Sequence, residues 1–246
     1  MGKSADGDIL NIEEKKRRRG KSLTPAVFLA VLLFFVSIAY GRNMVWMNEL
    51  MLWTDAAANS PYKARAYGAI GNYYVRTGLF DEAERIFLIG LRLHPDVATW
   101  HYNVGFTYYM QGRNEDAIKA YLDAIERRPD YPDAHTNLGL VYLTQKKFDN
   151  AMIHYMKALE LKPDSYGALN NIGITYAMEG RYDEAIEKFL EILKRSPDNA
   201  QVRFNLAKAY KDKGLKKEAR AEFEKVLELT PGNESAKKEL ELLGGH

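Results

Sequence analysis

A 34-residue period runs through most of this 246-residue chain and constrains its fold more than any other feature. One position of the period holds glycine in four copies and alanine in the fifth: Gly71, Gly105, Gly139, Gly173 and Ala207. Another position holds proline six times: Pro61, Pro95, Pro129, Pro163, Pro197 and Pro231. A fixed period of about 20–50 residues indicates a repeat protein, in which each unit buries its apolar side against the next.

Each period predicts two helices joined by a tight turn. Aromatic residues recur in both helices, at Tyr74, Tyr108, Tyr142, Tyr176 and Tyr210 in the first and at Phe87, Tyr121, Tyr155, Phe189 and Phe223 in the second. A glycine follows the first helix at Gly78, Gly112, Gly180 and Gly214. The left-handed backbone conformation that ends a helix costs little in a residue without a β-carbon. Lys146 stands at this position in the third copy, at an expected cost of up to about 1 kcal/mol.

These spacings resemble the tetratricopeptide repeat family, which is built from 34-residue helix-turn-helix units. The resemblance covers five full repeats, at 64–97, 98–131, 132–165, 166–199 and 200–233. Residues 42–63 are expected to add a helix that forms half a repeat, and residues 234–246 a capping helix and tail. The family's tryptophan position is not kept, and holds Tyr67, His101, His135, Leu169 and Arg203. The resemblance implies an all-α solenoid, a right-handed superhelix of helix pairs that serves as a protein-binding scaffold.

Residues 23–41 are expected to form a single transmembrane helix before the repeats. Eighteen consecutive residues, 23–40, carry no charge. As a helix they would extend about 27 Å, close to the roughly 30 Å of a bilayer core. The alternative is a cleavable signal peptide, because residues 37–39 resemble a small-x-small cleavage site, but the apolar run exceeds the usual signal core. Membrane lipid is therefore a predicted partner of residues 23–41, and residues 42–63 would be juxtamembrane.

Residues 1–22 are expected to form a disordered, basic cytoplasmic tail. Six of the eight positions before the apolar run are Lys or Arg, whereas Arg42 is the one basic residue in the twenty positions after it. Positive charge beside a membrane helix favours the cytoplasmic side. The sequence therefore predicts a single-pass protein of the cell inner membrane, with its N-terminus in the cytoplasm and its repeats in the periplasm.

Composition argues against several classes of function. The chain contains no cysteine, which excludes disulfides, thiol nucleophiles and cysteine zinc sites. Outside residues 1–22 it carries 28 basic and 29 acidic residues, so the repeats lack the positive charge expected of a nucleic-acid-binding protein. No glycine-rich phosphate loop and no histidine pair at helical spacing occurs in the sequence. We therefore expect no catalytic residues, no cofactor, no metal site and no nucleic-acid partner.

One row of positions predicts a peptide-binding surface. The resemblance implies that the first helices line the concave side of the superhelix, where asparagine recurs as Asn103, Asn137, Asn171 and Asn205. A carboxamide both donates and accepts hydrogen bonds, so such a row could hold the backbone of an extended peptide; asparagine is also the family's commonest residue there. Large side chains are expected beside it, at Tyr102, Phe106, Tyr109, Leu140, Leu143, Ile174 and Phe204. The alternative for these side chains is packing between repeats.

These features together predict a membrane-anchored scaffold or adaptor. Its groove would bind a partner protein and recruit or assemble it at the membrane, within a membrane or envelope complex. Two alternatives remain at this stage. The protein could be a permanent structural subunit of a multi-subunit membrane complex, or an organelle receptor whose repeats face the cytosol.

Overall fold

The computed structural model describes residue 27, residues 29–36 and residues 49–244. Residues 49–244 contain twelve helices. They are α1 (Glu49–Asn59), α2 (Ala64–Arg76), α3 (Phe80–Leu93), α4 (Ala98–Met110), α5 (Asn114–Arg127), α6 (Pro132–Thr144), α7 (Phe148–Leu161), α8 (Tyr166–Met178), α9 (Tyr182–Arg195), α10 (Ala200–Asp212), α11 (Lys216–Leu229) and α12 (Glu234–Gly244). From residue 98 onward, each repeat has a first helix of 13 residues and a second of 14. This constant length keeps equivalent side chains in register from one repeat to the next.

The chain divides into two compact units, residues 1–70 and residues 71–246. In the first unit, the Arg65 guanidinium lies 5.8 Å from the centre of the Trp53 ring. In the second unit, each first helix packs on the second helix of its own repeat, and that helix packs on the first helix of the following repeat. Neighbouring first helices also contact one another, as α4 with α6, α6 with α8 and α8 with α10. The second unit is therefore an all-α solenoid of stacked helix pairs.

The recurring glycine and aromatic residue hold the two helices of a pair together. The Tyr155 ring on α7 is fully buried against Gly139 on α6. A β-carbon at Gly139 would lie 2.6 Å from that ring and 3.1 Å from the Ala151 carbonyl oxygen, which is closer than packed atoms approach. The glycine and the aromatic residue thus recur in each period of the sequence because the two helices of a pair make this close contact.

Contacts between repeats use a different pair of positions, whose residues change size together. Trp100 on α4 is buried over Gly90 on α3, where a β-carbon would lie 2.5 Å from the indole ring. The equivalent residues three repeats later, Ile192 and Val202, are both of middle size and share one buried cluster. Because interiors are close-packed, a large residue on one helix requires a small one on its neighbour.

A polar contact replaces the tryptophan expected at one position of the first helix. The Tyr67 hydroxyl donates to the Pro61 carbonyl oxygen at 3.0 Å. His101 Nε2 lies 2.8 Å from the Pro95 carbonyl oxygen, to which it can only donate. The Arg203 Nε donates to the equivalent Pro197 carbonyl oxygen at 2.7 Å. Tyr67, His101 and Arg203 thus each supply an N–H or O–H donor, as tryptophan does, whereas Leu169 in the fourth repeat has none and packs in the core.

The turn inside the third repeat has the strained residue that the sequence predicts. Lys146 has φ = 57°, whereas the four glycines at the equivalent turns have φ between 75° and 89°. Its backbone N–H still donates to the Leu143 carbonyl oxygen at 2.9 Å. The third repeat therefore makes the same turn as its neighbours with a residue for which that conformation is costly.

The transmembrane prediction for residues 23–41 is wrong. In the parts of the chain that the structure describes, no helix is long and apolar enough to cross a bilayer. The predicted single-pass inner-membrane location with periplasmic repeats depended on this helix and is wrong as well. The predicted tail, residues 1–22, lies outside the described residues.

Candidate functional site

The four predicted asparagines lie on adjacent first helices, α4, α6, α8 and α10, and all four are half-buried. We call the side of these helices that carries them the first-helix face. The side chains on it are placed by helix phase, because residues three and four apart share one side of a helix. Asn171 and Ile174 on α8 are such neighbours. The first-helix face is thus a single surface built from the same few positions of each repeat.

Two of the four asparagines are engaged by the preceding repeat. Asn137 Nδ2 donates to the Tyr102 hydroxyl at 2.9 Å. Asn205 Nδ2 donates to Asn170 Oδ1 at 3.0 Å, and Asn205 Oδ1 accepts from Gln201 at 3.4 Å. The bond from Asn137 to Tyr102 and the bond from Asn205 to Asn170 each link neighbouring first helices.

The other two asparagines keep open side chains. The carboxamides of Asn103 and Asn171 make no hydrogen bond with any described residue, although their backbone carbonyls accept from Thr107 and Thr175. Each carboxamide can therefore offer both a donor and an acceptor to a bound backbone. The predicted row consists of two bonded and two open members.

Tyr102 belongs partly to the packing between repeats. Its ring centre lies 5.8 Å from that of Tyr121 and 5.1 Å from that of Tyr131. Burial raises the pKa of the Tyr102 hydroxyl to about 12, and the negative charge of Asp133 adds to the increase. The hydroxyl therefore stays protonated at neutral pH and remains tied to Asn137.

The other large side chains divide into buried and half-buried members. Leu143 is 4% exposed and lies in a core cluster. The remaining predicted residues are half-buried against core clusters: Phe106, Tyr109, Leu140, Ile174 and Phe204. Each of these packs against a core cluster and keeps part of its surface exposed. The binding role of the whole set stays a prediction.

Sequence reasoning missed Ala177 and Met178, which help to form a cavity of 280 Å³ between α8 and α10. Ile174, Ala177 and the buried Phe189 supply its apolar lining, and Met178 is 49% exposed beside it. The position of Ala177 holds Tyr109 and Leu143 in the two preceding repeats. The small side chain leaves open the space that those residues fill. Comparison of this position from repeat to repeat could have identified the cavity.

A second cavity, of 380 Å³, lies between α6 and the start of α8. Its lining is polar: Tyr102, Asp133, Thr136, Asn137, Lys162, Asp164, Ser165, Tyr166 and Gly167. Within residues 49–244, no ion pair is formed by Asp133, Asp164 or Lys162. The two cavities therefore differ in charge balance: the first is lined by one cation, Lys208, and one anion, Asp212, whereas the second has Asp133 and Asp164 against Lys162.

Two histidines meet away from the first-helix face, in the third repeat. His135 Nδ1 and His154 Nδ1 are 3.1 Å apart, and Tyr142 stacks on His154 at 5.6 Å. Burial lowers the pKa of His135, and burial together with His135 lowers the pKa of His154 to about 4. The neutral pair shares one N–H between the facing nitrogens. Among the described residues, no three His, Asp or Glu side chains converge on a metal position.

Comparisons with known proteins address the family. A family model described as TPR repeat matches residues 107–146. Three models described as tetratricopeptide repeat match residues 132–165, 154–187 and 176–240. Together they cover residues 107–240, which is more than half of the 246 residues. A comparison with curated protein sequences finds no match.

The fold is shared with 435 chains of solved structures, so the likeness identifies a common fold rather than one function. The Cut9–Hcn1 structure of the APC/C hetero-tetramer matches with a TM-score of 0.72 and 19% identity, over 83% of this chain and 40% of that one. The crystal structure of MamA matches with a TM-score of 0.56 and 26% identity, over 68% of this chain and 91% of that one. YrrB is described as a TPR protein with an unusual peptide-binding site. It matches with a TM-score of 0.55 and 22% identity, over 76% of this chain and 96% of that one. With these matches, the helix pairs and the 34-residue period, the chain belongs to the tetratricopeptide repeat family.

Proposed function

We propose that this protein is a scaffold that binds an extended segment of a partner protein on its first-helix face. The family's fold is that of a protein-protein interaction scaffold, and its repeats bind protein or peptide partners. The observation that carries the proposal is the open Asn171 carboxamide, three residues before Ile174, which lines the apolar cavity of 280 Å³. A backbone amide can pair with the carboxamide while a neighbouring side chain fills the cavity.

The geometry supports an extended segment rather than a compact ligand. The open carboxamides lie on α4 and α8, and the two cavities lie between α6 and α10, which spreads these features along the stack instead of gathering them at one point. Stacked repeats offer long surfaces of this kind. Polar groups that hold a main chain, next to a cavity for a side chain, match the usual division between affinity and specificity in peptide recognition.

Site-specific photocrosslinking in native extract tests the proposal. A benzophenone side chain would replace Met178, which is 49% exposed on the first-helix face, or Leu122, which is 44% exposed on α5. The two positions have similar exposure and apolar character, so Leu122 is a matched control. We expect a discrete protein adduct at Met178 and none at Leu122. An adduct at Leu122 alone, or equal adducts at both positions, would contradict binding on the first-helix face.

A further inference from the structure

α8 separates two cavities of different chemistry. The polar cavity of 380 Å³ reaches its first turn through Tyr166 and Gly167. The apolar cavity of 280 Å³ lies along its second half, at Ile174, Ala177 and Met178. Asn171 lies between these two groups of residues on the same helix. A peptide that crosses α8 from one cavity to the other therefore passes the open Asn171 carboxamide.

The polar cavity favours a cationic group. Asp133 and Asp164 place two carboxylates on its wall against the single ammonium of Lys162. Tyr166 is 42% exposed there and offers a ring face. The contribution of Asp133 to the raised pKa of Tyr102 shows that its charge acts on the cavity wall. A guanidinium or ammonium group gains from both carboxylates and aromatic faces, whereas an added carboxylate would meet like charge.

The apolar cavity favours one large hydrophobic side chain. Its apolar lining comes from Ile174, Ala177, Met178, Phe189 and Ala209, and its polar lining comes from Asn205, one cation, Lys208, and one anion, Asp212. The opposite charges at the rim give no net preference for a charged group. An apolar side chain that enters removes apolar surface from water on both partners.

The spacing of the cavities sets the spacing of the two side chains. Ten residues separate Gly167 from Ala177 on α8, a rise of about 15 Å. An extended peptide covers about 3.3 Å per residue, so the two side chains must be about five residues apart.

We propose that the bound segment carries a lysine or arginine that enters the polar cavity and, about five residues away, a large apolar residue that enters the apolar cavity. Asn171 bonds the backbone between them. This inference rests on the proposed function, because it specifies which segment the first-helix face selects.

Selection from a phage library of random twelve-residue peptides tests the inference with the full chain. We expect the enriched peptides to combine Lys or Arg with Leu, Ile, Met or Phe four to six positions apart, in one chain direction. Enriched peptides without this combination would overturn the inference and leave the proposed function standing. A library with no enriched peptide would overturn both.

Two variants then assign each side chain to its cavity, by fluorescence anisotropy with one selected peptide. Ala177→Leu places in the apolar cavity the side chain found at Leu143, and we expect at least tenfold weaker binding. A peptide with glycine in place of its apolar residue should bind both proteins equally. The double variant Asp133→Asn, Asp164→Asn should likewise weaken the binding only of a peptide that keeps its basic residue. Equal losses of affinity for the selected peptide and for the peptides that lack its apolar or basic side chain would overturn the assignment.

Folding and surface controls keep this test decisive. Circular dichroism of each variant must match the wild-type helix content, and Ala177→Met is the second variant if the leucine lowers it. Leu122→Ala on α5 changes an exposed apolar residue outside the first-helix face and should leave affinity unchanged. A loss in this control would also overturn the assignment.

Discussion

The two halves of the first-helix face use one backbone pattern in different ways. In the half formed by α4 and α6, Tyr109 and the buried Leu143 occupy the position next to the groove. In the half formed by α8 and α10, Ala177 stands at that position and a cavity of 280 Å³ opens. We call these the filled half and the open half. The difference teaches that one change of side-chain size can turn a packing surface into a candidate binding surface without any change of fold.

Whether the asparagine carboxamides are open or hydrogen-bonded does not distinguish the two halves. Asn103 in the filled half is open, and Asn205 in the open half is bonded to Asn170. Asn171 is the open asparagine that lies one helical turn from Ile174 in the lining of the apolar cavity, whereas the bonded Asn205 lines that cavity directly. The combination of an open carboxamide and an empty space, rather than either feature alone, distinguishes the open half.

The largest expected effect concerns stability in the filled half. Trp100→Ala removes a ring that is 5% exposed and packs over Gly90, and we expect a loss of about 3–5 kcal/mol in the free energy of unfolding. Met178→Ala in the open half removes an exposed side chain and should change it by less than about 0.5 kcal/mol. Urea unfolding measures both. Losses of similar size would mean that the halves do not differ as described.

Acid should weaken the third repeat, whose first helix α6 belongs to the filled half, through the pair His135 and His154. The folded pKa of His154, about 4, lies below its unfolded value, so its contribution is complete above about pH 6.5 and is lost as the pH falls towards 4. We expect this group to account for a fall of about 2 kcal/mol in the free energy of unfolding, after allowance for partial exposure. No histidine occurs in residues 166–244.

Urea unfolding from pH 7 to 4.5 measures this dependence. His154→Gln should flatten the pH profile over that window while leaving the carboxylate contributions in place. An identical profile in the variant and the wild type would remove the histidine pair from the account.

The hydrogen bond between Tyr102 and Asn137 is expected to contribute a smaller amount. Tyr102→Phe removes the hydroxyl that accepts from Asn137 and should lower the free energy of unfolding by about 1 kcal/mol. Asn171→Ala, which removes an open carboxamide, should change it by less than about 0.5 kcal/mol. Chemical denaturation compares the two variants. A larger loss for Asn171→Ala would show that the open asparagine is structural.

The smallest effect comes from exchanging the turn residues of the two halves. Lys146→Gly relieves the positive φ of 57° and should raise the free energy of unfolding by up to about 1 kcal/mol. Gly180→Lys, at the equivalent turn of the open half, should lower it by a similar amount. Thermal unfolding of both variants checks the pair of opposite signs. Two changes of the same sign would contradict the conformational explanation.

The helix pairs could be predicted from the sequence because each close contact repeats. The contact of Gly139 with Tyr155, for example, recurs at a fixed spacing, and Lys146 was identifiable because it breaks a glycine row. The state of the asparagines could not be predicted in this way. Asn137 is bonded because Tyr102 stands on the preceding first helix. The corresponding residue before Asn171 is Thr136, which has no side-chain bond to it.

The predictions of the candidate site and of the transmembrane helix were limited for other physical reasons. The apolar cavity depends on the volume that Ala177 leaves, which is a property of neighbouring helices rather than of one motif. The transmembrane prediction rested on an uncharged run, and the absence of charge alone does not establish a helix long enough to cross a bilayer. Both features require the positions of backbone atoms, which periodicity does not supply.

The central claim is that the open half, through Asn171, holds the partner segment. The most direct test is the dissociation constant of one selected peptide for Asn171→Ala and, separately, for Asn137→Ala, whose Nδ2 is already bonded to Tyr102. The account predicts about tenfold weaker binding for Asn171→Ala, as expected for the loss of about 1.4 kcal/mol from a donor and an acceptor, and less than about threefold for Asn137→Ala. Unchanged affinity in Asn171→Ala, or a larger loss in Asn137→Ala, would contradict it.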